Sequence, residues 1–223
     1  MKEHMLSDEW IVSYAAGALG EAHSVLVASH IAYHPVLQEK LVAAEDIGGA
    51  LLENLPETDC SEDMLDAVLK DIAAPFSVPV LSTAPKKNTD LPLPLSDYIY
   101  DKSGHRPDSL MDIDWGFMGP GMKKHRLWKG PDGQCLWLLR ARGGTVMPKH
   151  DHGGDEMTLV LKGAYHVGSQ RFSVGELEYA EVTLLDHQPV IDEGEDCICL
   201  VVTEAPIKLH SFLGRLIQPL IGL

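Results

Sequence analysis

The chain is poor in several things whose scarcity narrows the reading. Aromatic residues make up 6 % of its 223 residues, and only four cysteines occur, Cys60, Cys135, Cys197 and Cys199. None of them forms a C-x2-C pair, and a chain of this length needs no staples, so a disulfide framework is not indicated. No apolar stretch approaches the roughly 20 residues that span a bilayer, and the first 30 residues, Lys2 aside, are acidic and polar between helically spaced apolar positions. A cytoplasmic protein is expected, with no membrane partner. Basic residues are scarce too: residues 1–75 hold 14 Asp and Glu against three Lys and Arg, which accounts for -11 of the formal charge of -15. Direct binding to a nucleic-acid backbone needs clustered Lys and Arg, so this third of the chain suits a basic protein surface instead.

What is present is an ordinary globular composition, 45 % hydrophobic and 23 % charged, with a mean hydropathy of -0.04. At roughly 100–200 residues per domain the length accommodates two units. Residues 1–75 read as helices. Ser7 is placed to cap the first, with Asp8 and Glu9 against the helix dipole, and Trp10, Ile11, Tyr14, Ala15, Ala18 and Leu19 recur at helical spacing up to a stop at Gly20. A second helix runs from about Glu21 to Tyr33, and Pro35 breaks it and opens a third to about Leu52. Val25, Leu26, Leu37, Leu41 and Ile47 are its expected bundle core. A fourth follows Ser61, with Met64, Leu65, Val68, Leu69 and Ile72 on one stripe. Residues 76–94, punctuated by Pro79, Pro85, Pro92 and Pro94, read as a linker. From about Leu95 to the end at 223 the pattern changes to short strands, Cys135–Arg142, Met157–Tyr165, Glu176–Ala180 and Cys197–Thr203 among them, separated by Gly-rich turns. The fold class expected is therefore α+β in two domains, a small helical bundle followed by an antiparallel barrel or sandwich.

Eleven histidines are many, and the sharpest cluster is His150-Asp151-His152-Gly153-Gly154-Asp155-Glu156. Side chains two apart on a strand share a face, so His150 and His152 can point into a barrel together, and a Gly-Gly bend lets Glu156 return toward them. Two imidazoles and a carboxylate suit a borderline divalent metal, zinc first, with iron, manganese and nickel as alternatives. His187, on a distant segment, is the candidate fourth ligand. With Gly163 and Gly175 in between, order and spacing match the two motifs of the cupin barrel, so this half resembles a cupin. The resemblance implies a jelly-roll barrel with the metal in its mouth.

A narrower resemblance follows. Met157-Thr158-Leu159-Val160-Leu161-Lys162-Gly163-Ala164, then Gly194-Glu195-Asp196-Cys197-Ile198-Cys199 running on to Thr203-Glu204-Ala205-Pro206, is similar to the cupin domain of ChrR-type anti-sigma factors. Leu6-Ser7-Asp8, Tyr14-Ala15-Ala16-Gly17 and a helix ending near His30 resemble the anti-sigma domain that precedes it. Such a relationship implies an extracytoplasmic-function sigma factor as partner, held by the helical domain, and an oxidant such as singlet oxygen as the signal read by the cupin. Zinc-binding anti-sigma domains carry His-x3-Cys-x2-Cys and a further histidine near the N-terminus. Here the corresponding positions are His30, His34 and Leu37, with His4 at the N-terminal place, so a second metal site would rest on His4, His30 and His34, one ligand short of a closed zinc site.

The competing expectation is an enzyme, since cupins with this ligand pattern include metal-dependent dioxygenases; Glu178, Tyr179 and Arg140 are the residues that would point inward beside the metal. Cys197 and Cys199 share one face of a strand, where a bond between them would strain the backbone, and the bland reading is two buried small hydrophobes. The segment Phe212, Leu213, Leu216, Ile217, Leu220 and Ile221 is amphipathic and suits packing on the barrel or on a second copy in a homodimer.

Overall fold

The computed structural model describes residues 4–59, 61, 63–73 and 90–210. Cys60, most of the Pro-rich stretch and the amphipathic C-terminal segment lie outside these residues.

Four helices occupy the first part: α1 (Asp8–Ala15), α2 (Glu21–Tyr33), α3 (Pro35–Glu53) and α4 (Met64–Ala73). Pro35 begins α3 with His34 extended before it, as the proline spacing predicts. α1 ends five residues before Gly20, because the Ala18 N–H folds back onto the Ser13 carbonyl at 2.9 Å; Gly20 instead stands at the start of α2. α2 is apolar on every side, with Ala22, Leu26, Val27 and Ile31 buried together with His23, Ser29 and His30. A helix of that kind must be covered all round. α1, α3 and a fifth helix, α5 (Leu93–Ser103), pack on it, and its remaining side meets the sheet. α5 falls where strands were expected. Pro92 and Pro94 sit at its first turn, where a missing N–H costs nothing, and Leu95 and Ile99 bury one turn apart.

The strands are β1 (Gly116–Gly119), β2 (Met122–Lys129), β3 (Cys135–Ala141), β4 (His150–Asp151), β5 (Glu156–Lys162), β6 (Ala164–Val167), β7 (Gln170–Ser173), β8 (Leu177–Ala180), β9 (Val190–Ile191), β10 (Cys197–Thr203) and β11 (Lys208–Leu209). All pairings are antiparallel: a six-stranded sheet in the order β1-β2-β3-β10-β5-β8 faces a smaller layer made of β7-β6-β9 and β11-β4.

The central strands β3, β10 and β5 of the large sheet are buried on both faces. Along β10, Cys197, Cys199 and Val201 face the barrel interior with Trp137 and Val160, while Ile198, Leu200 and Val202 face the helices with Leu136, Leu138, Met157 and Leu159. This outer cluster continues without a break into Leu26, Leu37, Leu95 and Ile11, so helices and sheet share one core. Of the apolar residues expected to hold the bundle, Leu26 and Leu37 are buried and Val25 and Leu41 partly so, but Ile47 is 64 % exposed.

This burial generates a contrast. Leu26→Ala should cost about 2–5 kcal/mol, whereas Ile47→Ala should change stability by no more than about 0.5 kcal/mol. Denaturant midpoints of the two variants decide the matter; equal values would mean that α2 is not part of the shared core.

Candidate metal centre

His150 and His187 stand opposite each other and exchange both main-chain hydrogen bonds, at 3.1 and 3.0 Å. Opposed residues of an antiparallel pair project to the same side, and His152 follows two residues later. Asp151, between them, turns outward: its carboxylate accepts from the Asp186 N–H at 3.0 Å and from His210 at 2.9 Å. Asp186 adopts φ 57, and this pinned turn delivers His187 to the barrel. Gly153 permits the chain to pass here, since a Cβ added to it would lie 2.4 Å from the Pro206 carbonyl oxygen. All three histidines are buried.

Hydrogen bonds set the imidazole tautomers. His150 donates through Nδ1 to the Pro148 carbonyl at 2.9 Å, and His187 donates through Nε2 to Glu178 Oε1 at 3.1 Å. That leaves His150 Nε2 and His187 Nδ1 as lone pairs 3.2 Å apart, with His152 Nε2 also 3.2 Å from His187 Nδ1. Lone pairs held this close repel unless an electrophile lies between them. The spacing is near the 3.3–3.4 Å or so that separates ligand atoms around a tetrahedral zinc at about 2.0–2.1 Å. Among the described residues, only His150, His152 and His187 bring three such donors together, within 4.8 Å of one another. Burial holds His150 below its ordinary value and His152 down to about 4, so both are neutral and ready to ligate near pH 7. Burial acts on His187 in the same direction but is outweighed by Glu178 and Glu156, which raise it.

Of the four ligands expected from spacing, Glu156 is thus set slightly apart. Its Oε2 lies 3.8 Å from His152 Nδ1, and its Oε1 is 3.4 Å from the Thr158 hydroxyl. Burial, reinforced by the charge of Glu178, pushes it up to about 7. Glu178 does point inward, held by His187 and by the Tyr165 hydroxyl at 2.6 Å; the pairing with Tyr165 has no signal in sequence spacing. Tyr179 faces out and bonds Asp155, and Arg140 is paired with Asp196. Cys197 and Cys199 lie with Sγ atoms 3.7 Å apart in the interior. The bond to Cys197, followed by burial, raises Cys199 well above a normal thiol, which keeps it protonated and a poor nucleophile.

The second candidate set is arranged differently. His30 is fully buried, neither ring nitrogen has a partner, and burial lowers it to about 3. His34 lies against it, centroids 4.8 Å apart, but donates through Nε2 to the Gly175 carbonyl at 2.6 Å. His4 stacks on Phe172, and Leu37 fills the core where a thiolate would have been.

Metal uptake in the barrel should release a proton below about pH 7, because Glu156 is then protonated in the metal-free chain and ionised beside the ion. Affinity should accordingly fall as the pH drops through that value. Calorimetry in buffers of different ionisation enthalpy measures the proton count, and about one metal per chain, lost in His150→Ala, is the expected stoichiometry. A proton count below that pH that is unchanged in Glu156→Gln would exclude Glu156 from the site.

Comparison with known proteins agrees with this geometry. The family model described as the ChrR cupin-like domain matches residues 109–206, which contain the three histidines. Anti-sigma-E factor ChrR of Cereibacter sphaeroides is 36 % identical over 97 % of this chain and 96 % of its own length. The crystal structure of Rhodobacter sphaeroides SigE in complex with the anti-sigma ChrR superimposes with a TM-score of 0.72 at 34 % identity, covering 90 % of this chain and 98 % of that one. The barrel is a cupin, and similarity that runs through helices and barrel alike, at this level of identity, means that the chain belongs to the ChrR family of anti-sigma factors.

Proposed function

We propose that this protein sequesters an extracytoplasmic-function sigma factor through its helical region, and that a metal held by His150, His152, Glu156 and His187 makes the cupin a sensor of an oxidant such as singlet oxygen. The observation that carries the first half is an apolar surface that nothing in the described chain covers. On α3, Ile47, Leu51 and Leu52 are 64, 67 and 69 % exposed; on α4, Leu65 is 66 % and Ile72 71 % exposed, with Val68 and Leu69 half exposed. Large apolar residues left exposed together on a helix mark interaction sites. The related ChrR was crystallised with SigE. A strongly acidic helical region adds complementarity to a basic partner surface, and a cytoplasmic location follows from such a partner.

Zinc is the metal that best suits three imidazoles and one carboxylate, and when bound it supplies a Lewis-acidic centre. The chain's own residues hold that position in a confined space: the cavity measures about 80 Å³ and is lined by Met118, Met122, Met147, Tyr165 and Ile191 besides His150 and His187. That volume takes a few waters or a small oxidant, well short of the roughly 300 Å³ or more of a small-molecule site, which favours a sensor over a dioxygenase. Thioethers are oxidisable side chains, consistent with an oxidant as the signal.

Leu69→Asp should weaken binding of the sigma factor by about 30-fold or more, as an interface anchor does, while leaving the unfolding midpoint nearly unchanged because the residue is exposed. Titration calorimetry with the purified sigma factor is the measurement. Undiminished affinity in both Leu69→Asp and Ile72→Asp would remove α4 from the interface.

A further inference from the structure

The turn between β7 and β8 is gripped from two directions. On one side stand the helices. The Gly175 carbonyl accepts from His34, and at φ +84 this residue tolerates no side chain easily; a Cβ there would also press Tyr33 at 3.3 Å. The Leu177 N–H donates to the His4 carbonyl at 3.0 Å. Glu176 spans the gap, with Oε2 bound by the Ser173 amide and hydroxyl at 2.7 and 2.8 Å and Oε1 lying 3.5 Å from His4 Nδ1. On the other side stands the metal centre, reached by the next residue along, Glu178, whose two oxygens accept from His187 and Tyr165. A second connection runs through rings: His4 stacks on Phe172 at 4.2 Å, and Phe172 on Tyr165 at 5.2 Å.

We infer that Glu178 is a positioning residue of the metal centre and that the β7–β8 turn couples His187 to the helical layer that His4 and His34 anchor. The inference rests on the reading that the barrel holds a metal. β8 is the edge strand of the large sheet, paired only with β5 and otherwise capped by the main chain of His4. An edge strand with one ladder has less to resist a shift than one paired on both sides. With an ion in place, His187 is fixed at both ring nitrogens. Without it, Glu178 is the one carboxylate holding a ring whose Nδ1 faces two other nitrogens at 3.2 Å. Any movement of His187 then passes through Glu178 into Leu177 and Gly175, one and three residues away on the same backbone. His34, on the helical side, is already committed to a carbonyl of this turn. By linkage, whatever the metal does to helical docking, helical docking does to metal affinity.

The test uses full-length protein, zinc-loaded and then stripped by chelator, with metal content verified by elemental analysis and amide exchange followed by mass spectrometry. Stripping should speed exchange by about fivefold or more in peptides covering residues 4–15 and 26–38. Glu178→Ala should abolish that difference under saturating zinc and weaken zinc binding by about tenfold or more. Glu178→Gln, which keeps an acceptor for His187, should restore both. Exchange at 26–38 that ignores the metal while barrel peptides respond, or that persists unchanged in Glu178→Ala, would overturn the coupling alone. No zinc in the barrel would overturn the metal reading with it, and a second zinc lost in His34→Ala would assign His34 to an ion and overturn the contact proposed here.

Discussion

The central strands β3, β10 and β5 of the large sheet are apolar on both faces, and the rest of the architecture follows from the need to cover them. Leaving a leucine-sized side chain in water costs about 1.5–3 kcal/mol, and the outer face alone presents Leu136, Leu138, Leu159, Ile198, Leu200 and Val202. Helices α2 and α5 supply the cover. They are therefore part of the barrel's stability as much as of a separate module, and α3, with its exposed apolar residues, packs on α1 and α2.

The inner face answers a different demand. Alternate residues of the same strands line a small cavity in which polar groups survive only when paired. Tyr165, Glu178 and His187 form one such chain, and the Pro148 carbonyl satisfies His150. These bonds leave lone pairs facing inward at 3.2 Å, an arrangement that makes physical sense around a cation. Burial enforces the neutral state of His150 and His152 that ligation requires.

One strand shows how the two demands meet. β8 contributes Leu177 to the outer core and Glu178 to the interior, and Tyr179, on the same face as Leu177, meets Trp10 of α1 at the rim. The alternation of side chains along a strand puts Glu178 on the face opposite Leu177, so the buried histidine cluster and the helical layer meet across a single strand.

Local spacing was enough to read the helices α1 to α4, the change to strands and the His150-x-His152 pair, because each depends on residues within a turn or two of one another. His187 stands out as a histidine on a distant segment after a predicted turn, and the resemblance to a barrel motif agrees with it. The uninterrupted apolar runs of β3, β5 and β10 carried a signal that both faces are covered, whereas α5 falls where the sequence reads as a linker and strands, its Pro92, Pro94 and Leu95–Ile99 pair taking on meaning only in the folded helix. By itself, then, the sequence determined the kind of units and the chemistry of the donors. Tertiary structure alone decided that Glu178 holds His187, that Glu156 stands aside from the three converging nitrogens, and that His34 meets Gly175 across 141 residues of chain. Those choices depend on which strand lies at the sheet edge and which helix covers it, and no short-range periodicity encodes that.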